Sequence, residues 1–253
     1  MTRKGSRAKA PWCKAFSVVA CAAALCSVAG HVAAAEQDTG PAAPADESAL
    51  GNHQKNIRLE IGVRTQYVNS DGLNPFSERD VLPQFTTGVS WAFWAQDKLS
   101  LAAYGGFDYG GTSADLRSQE ASLDFVRFTL APEARYHVLR ILALTAKVGP
   151  TLTRESAEVS SPLGSPLLKT GWKFGFDATA GAALELWGYS SGASKKPRMW
   201  VMGEGGYGWT APLQLTFKPE ESGAVPQRLT PLDLGELVVG GPLFRITAGL
   251  SFW

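Results

Sequence analysis

From about residue 56 to its end, the chain alternates apolar and polar side chains with period two, in one segment after another. The first segment, about 56–69, sets Ile57, Leu59, Ile61, Val63 and Tyr67 against Arg58, Glu60, Arg64 and Gln66. The same alternation recurs at about 83–94, 98–109, 122–137, 141–153, 171–187, 198–210 and 242–253. Period two is the signature of a strand with unlike faces, and each segment exceeds the 9–11 residues or so that cross a bilayer as a tilted strand. The connections also alternate in length. Those at 95–97, 138–140 and 188–197 are short; those at 70–82, 110–121, 154–170 and 211–241 are longer. Short turns on one side and long loops on the other are the pattern of an outer-membrane barrel. The expected fold is therefore all-β: an eight-stranded antiparallel up-and-down transmembrane β-barrel over 56–253, with both chain ends in the periplasm.

The N-terminal region reads as a targeting segment. Arg3, Lys4, Arg7, Lys9 and Lys14 precede an apolar, alanine-rich run that ends at Ala33-Ala34-Ala35, a small-residue cleavage site. Residues 1–35 are thus expected to be a signal peptide. A membrane anchor is disfavoured by the weak hydrophobicity of the alanines, and a lipoprotein site at Cys21 by the short apolar region that would precede it. Residues 36–55, rich in Ala, Pro, Asp, Glu and Gly, are expected to form a flexible periplasmic segment. Cys13, Cys21 and Cys26 all lie in the leader, so disulfides and thiolate chemistry are excluded from the mature chain. Beyond the leader no apolar run of about 18 residues occurs, which removes transmembrane helices. A closed barrel is then the remaining way to satisfy every backbone group in lipid. The formal net charge of +1 offers nucleic acid no attractive field.

Periodicity alone does not say which face points inward. Aromatic residues gather near segment ends (Trp91, Phe93, Tyr109, Trp172, Tyr207, Trp209), as interfacial girdles do, and the polar face carries both charge signs in mid-segment. Both features place the apolar face outward. The competing fold, a soluble lipid-binding barrel, would bury the apolar face instead.

With its leader, its eight segments and its terminal Phe244-Arg-Ile-Thr-Ala-Gly-Leu-Ser-Phe252-Trp253, the chain resembles the small outer-membrane β-barrel proteins of the OmpA transmembrane domain, OmpX and OmpW type. The resemblance is architectural and covers roughly 56–253. It implies the outer membrane of a diderm bacterium, outer-membrane lipid as the surroundings, and a monomer. It also implies that Phe252 and Trp253 are the signal read by the barrel-assembly machinery. Phe252 keeps the phase of Ile246 and Leu250, whereas Trp253 falls off it.

By phase the lumen receives Arg58, Glu60, Arg64, Lys98, Asp108, Arg127, Glu133, Arg135, Lys147, Lys173, Asp177, Glu185, Arg198, Glu204 and Arg245. Eight strands enclose an interior just wide enough for side chains, and isolated buried charges are costly. Glu60, Arg64, Arg127, Lys147, Asp177, Glu204 and Arg245 are therefore expected to form a plug, or a narrow gate in which Glu204 trades partners between Arg127 and Arg245. Gly203–Gly208 spells GxGxxG, but no helix follows, so a dinucleotide site is rejected. His53 and His137 lack spaced partners for a metal or a hydrolase triad. Neither cofactor nor catalysis is expected. Pro132 and Pro150 fall inside segments, where bulges are expected. The long connection at 211–241, with Pro212, Pro219, Pro226 and Pro231, is expected to be an exposed loop. The function expected is envelope structure or surface interaction, with a narrow gated channel or small-solute conduit as the alternative.

Overall fold

The computed structural model describes residues 56–116, 119–161, 164–187, 197–217 and 232–252. Its strands are β1 (Ile57–Tyr67), β2 (Val81–Gln96), β3 (Leu99–Leu116), β4 (Gln119–His137), β5 (Leu142–Ser161), β6 (Gly164–Trp187), β7 (Arg198–Thr210), β8 (Leu213–Phe217), β9 (Leu232–Leu237) and β10 (Gly241–Phe252). Strands β1 to β7 and β10 close into an antiparallel barrel; β8 and β9 pair separately. Every strand of the barrel neighbours its successor, and β10 closes the ring on β1. Each of the eight sequence segments coincides with one barrel strand to within a few residues at the end on the side of the short turns.

The rungs spiral. From Asn56 the path runs through Ala92, Ala102, Glu133, Lys147, Thr179, Gly206 and Leu243, and it regains β1 at Gln66. The offset, 66 − 56 = 10 residues, is the shear of the barrel. Strand number and shear together fix an interior of side-chain width.

Over the lower part of the barrel the apolar face points outward. Ile57, Leu59 and Ile61 on β1, Phe85, Val89 and Trp91 on β2, and Phe244 and Leu250 on β10 are exposed, while the alternate Arg58, Glu60, Arg64 and Arg245 are buried. The exposed belt ends in aromatics on both sides: Trp91, Phe93, Tyr136 and Trp187 toward the short turns, and Phe85, Tyr109, Trp172 and Trp209 toward the long connections. A closed ring with an apolar belt, aromatic girdles and a charged interior fits a bilayer and not water. The chain is an outer-membrane β-barrel protein, and the soluble lipid-carrier fold is overturned by the buried charge.

Above the belt the same alternation carries the opposite polarity. Along β4 the outward row Tyr136, Leu130 and Phe128 gives way to Asp124, Ser122 and Glu120, while the inward row passes from Arg127 to the buried Phe125, Leu123 and Ala121. On β5 the outward row changes from Leu144, Val148 and Leu152 to Arg154, Ser156 and Glu158, and Ala157 and Val159 turn inward. These outer ends therefore read as strands of a soluble protein. This corrects the expected loops at 110–121 and 154–170: β3 and β4 stay paired as far as Leu116 and Gln119, and β5 and β6 as far as Ser161 and Gly164.

The connection at 211–241 is not a bare loop either. Leu213–Phe217 and Leu232–Leu237 pair as an antiparallel hairpin, in which Leu213, Leu215, Phe217 and Leu237 are buried by the alternation of a half-buried strand pair. Pro219, Pro226 and Pro231 lie outside the described residues. The connection at 70–82 contains a 3-10 turn, Asp71–Leu73, that buries Leu73.

The prolines also behave differently from expectation. Pro132 and Pro150 cause no bulge. Thr129 opposite Thr151 and Glu133 opposite Lys147 keep one register, and the β4–β5 ladder lapses over the residues between them. Both prolines thus fall at one height on one seam. Their other sides stay paired, Pro132 with Ala103 and Pro150 with Phe176. Concentrating two missing N–H donors in a single seam leaves the neighbouring ladders whole. Among the described residues the register shifts lie elsewhere, at Ala92/Trp94, Val159/Ser161 and Glu185/Trp187 in the barrel and at Gln214/Thr216 in the β8–β9 pair.

Candidate functional site

The lumen is where chemistry-bearing residues converge. Glu60, Arg64, Arg127, Lys147, Asp177, Glu204 and Arg245 are all buried in it, each delivered by the inward phase of its strand. Arg127 reaches Asp177 at 3.4 Å, and Asp177 faces Arg64 at 2.6 Å. Arg64 meets Asp108 at 2.8 Å, and Asp108 meets Arg245 at 3.6 Å. Arg245 lies 3.6 Å from Glu204, which is 3.0 Å from Lys147, itself 3.5 Å from Glu60. The chain of contacts alternates in sign throughout and has no net charge. It draws on every barrel strand except β2, so it cross-braces the ring from within.

Asp177 is the best held of these carboxylates. Arg64 donates to both of its oxygens, at 2.6 and 3.1 Å, in the parallel fork that favours arginine over lysine. Space for the fork comes from Gly208, where a Cβ would meet Asp177 Oδ1 at 2.5 Å and Arg64 Nη2 at 2.9 Å. The run Gly203–Gly208 is strand; Gly206 and Gly208 permit close approaches, whereas a Cβ at Gly203 would meet nothing within 4 Å. Glu204 does not reach Arg127, contrary to one expected pairing. Arg127 turns instead to Asp177, Gln66 and Thr153, with its guanidinium 4.8 Å from the Phe125 ring.

Below the ladder, toward the short turns, lies a second cluster. Arg135 donates to Glu133 Oε1 at 2.9 Å, to Asn56 Oδ1 at 2.9 Å and to Ser90, while Ser90 donates to Glu133 Oε2 at 2.7 Å. Arg58 stacks 4.8 Å from the Trp200 ring, donates to Met202 Sδ at 3.0 Å and lies 3.9 Å from Glu133. Arg198 pairs with Glu185 at 3.2 Å. Lys98 does not belong to the lumen; it is exposed in the turn between β2 and β3.

Sequence reasoning missed the aromatic platform at the centre. Tyr104 points inward and lies over Gly88 and Gly106, which face each other across β2 and β3; a Cβ at either would fall 2.7 Å from its hydroxyl. Its ring carries Lys147 Nζ at 4.1 Å, and its hydroxyl accepts from Arg245 at 3.0 Å. The signal was the opposed glycine pair, because an aromatic covers glycines on a curved sheet.

Over the outer end of the ladder lies an apolar core. Val68, Leu73 and Phe76 from the first connection meet Leu82, Leu123, Phe125, Ala157 and Val159 from the outer strand ends. Leu213, Leu215, Phe217, Leu237 and Val239 from the hairpin region complete it. At the boundary Thr210 donates to Glu155 at 3.3 Å and accepts from the Val239 N–H at 3.1 Å, tying the cap to the ladder's rim.

His137 is the buried last residue of β4, and His53 lies outside the described residues. Among the described residues no group of three or more His, Cys, Asp or Glu is arranged to hold a metal ion. Phe252 is exposed on the lipid side and pairs with Ile57, closing the ring; Trp253 lies outside the described residues.

No family model matches the chain, and no curated protein matches it. Among solved structures the chain is similar to Ail, the attachment invasion locus protein of Yersinia pestis, solved in complex with the heparin analogue sucrose octasulfate. That match has 13% identity, 79% of this chain and 99% of that one, and a TM-score of 0.44. It is similar to the outer-membrane protease OmpT of Escherichia coli at 8% identity over 79% and 97% of the two chains, with a TM-score of 0.42. For the outer-membrane protein AlkL, solved in lipid bilayers, the values are 12%, 86% and 96%, and 0.33.

Proposed function

We propose that this protein is a closed, non-catalytic outer-membrane barrel whose external cap is its working surface, serving envelope structure or surface interaction. The supporting observation is the stacking of two seals along the axis. A solute entering from outside meets an apolar core first and then an unbroken series of ion pairs. Neither layer is an open path for water or ions. The barrel acts as a monomer in lipid without cofactor or nucleic acid, and β10, with Phe252 turned to lipid, is the strand the assembly machinery reads. The test is conductance in planar bilayers. The purified protein is expected to give no discrete steps at any applied voltage; reproducible steps refute closure. Overexpression is expected to leave lipid A and phospholipid composition unchanged, with or without His137→Ala; a changed composition that His137→Ala abolishes refutes the non-catalytic reading.

One observation favours a second reading, a narrow gated conduit. Lys147 is shared between Glu60 and Glu204, and Arg245 between Asp108 and Glu204. A shared cation can change partner without becoming unpaired. On this reading steps do occur, and Glu204→Gln alters their size or frequency.

A further inference from the structure

We propose that the lipid-facing wall of β1 to β4 is a binding site for one acyl chain of a periplasmic-leaflet phospholipid, seated in a groove centred on Gly105. The proposal is independent of whether the lumen conducts. A cavity of about 570 Å³ opens on this wall, lined by Leu59, Val89, Gly105, Phe107, Phe128 and Leu130 among others. The register explains it. Leu59, Val89, Gly105 and Leu130 form one rung across four strands, and the only one of them without a side chain is Gly105. A Cβ there would lie 3.8 Å from both Val89 and Leu130, an ordinary contact, so the gap is an open slot one side chain wide and not a strained approach.

The chemistry of the slot selects its occupant. Its flanks are hydrocarbon, and Leu130 stands 70% exposed as a wall. The outward hydroxyl at the slot, Thr87, already donates to the Glu60 carbonyl at 2.9 Å. The backbone floor at Gly88 and Gly106 is backed by the Tyr104 ring on the lumen side. Such a slot offers methylene groups dispersion contact and offers a polar partner nothing. It also lies inside the apolar belt, continuous with the lipid interface, where acyl chains are the medium.

The open end decides the leaflet. On the next rung outward Phe107 and Phe128 pack with centroids 5.4 Å apart, and Phe128 stacks on Trp172 at 6.3 Å, closing the groove toward the long connections. On the next rung inward the small Ala103 lies between Trp91 and Pro132, so the slot continues toward the periplasmic girdle. A chain therefore enters from the periplasmic leaflet, and its end meets the aromatic pair.

The experiment uses full-length protein in vesicles of phosphatidylethanolamine and phosphatidylglycerol doped with phosphatidylcholine carrying a diazirine near the chain end. Adducts are mapped by peptide mass spectrometry. The proposal expects adducts concentrated on Val89, Phe107 and Leu130. Gly105→Leu, which fills the slot, should lower them severalfold, and Gly105→Ala should lower them less. Ala180→Leu, on the exposed face of β6, should leave them unchanged. Heat-modifiable gel mobility reports that each variant is folded; if Gly105→Leu fails to fold, Gly105→Ala carries the comparison. Adducts spread evenly round the belt, or unaffected by filling the slot, overturn the proposal. So do adducts displaced by lipid A but not by unlabelled phospholipid.

Discussion

Replacing Arg64 by methionine separates a closed lumen from a wet one, because the same ion pairs have different worth in the two. Arg64 donates to Asp177 twice, to Asp108 at 2.8 Å and to Gln66 at 3.2 Å, and it is fully buried. Methionine removes all four bonds at similar side-chain volume. Asp177 is then left with Arg127 at 3.4 Å, and Asp108 with Arg245 at 3.6 Å. If the lumen is sealed, two under-compensated carboxylates remain in a low-dielectric interior, and breaking a buried pair this way costs about 3–5 kcal/mol. If water threads the lumen, the pair behaves like a surface pair, worth about 0–1 kcal/mol. The assay is reversible urea unfolding in lipid vesicles, followed by tryptophan fluorescence and by gel mobility. Adding Asp108→Asn to Arg64→Met should recover much of the loss, since Asp177 still faces Arg127, Arg245 still faces Glu204, and the buried charges balance again. A loss under about 1 kcal/mol for Arg64→Met alone refutes the sealed lumen.

Three further outcomes follow from the same geometry. Gly208→Ala should cost about 1–3 kcal/mol by overpacking, since its methyl presses on Asp177 and Arg64; unchanged unfolding would show that the fork at Asp177 has slack. Leu215→Ala, in the cap core, should loosen the cap by about 2–5 kcal/mol. Protease should then cut the external region while gel mobility still reports an intact barrel. Ile61→Arg, on the exposed belt, should cost about 2–4 kcal/mol in vesicles if the site lies near the bilayer midplane; tolerance there would contradict the outward assignment.

The barrel was legible because period two is a local property and each segment carries it independently. The phase that put Glu60 and Arg64 on the side opposite Ile61 and Val63 needed no tertiary information. What the alternation hid was its own change of sign. Ala157 and Val159 continue the inward row of Thr153 and Glu155, but apolar residues on a polar row read as the end of a strand, and the alternation places the end of β5 at about 153 instead of at Ser161. The hairpin β8–β9 was illegible for a related reason. Leu213, Leu215 and Phe217 alternate over only five residues, and their partner strand begins at Leu232. Ion-pair partners were out of reach as well, because they depend on the shear: ten residues of offset bring Arg245 to Asp108, two residues that adjacent rungs alone do not join. Tyr104 was missed although it shares the inward phase of Ser100, Ala102 and Asp108, because it carries no charge and only the glycines beneath it mark it as a platform.

The change of polarity along β4 and β5 also sets the order in which the molecule can be built. Asp124, Arg154 and Glu158 must cross the hydrocarbon before they reach water, so the hairpin tips travel first and the belt settles behind them. The cap draws together Val68 and Val239, residues from opposite ends of the described chain. It condenses only when the outer strand ends, the first connection and the hairpin have all arrived on the far side, and such long-range contacts are the slowest to form. Until that final closure, Arg127 and Glu155 stand at an uncovered mouth. The capped barrel is thus the last species on the assembly route, and an uncapped one precedes it.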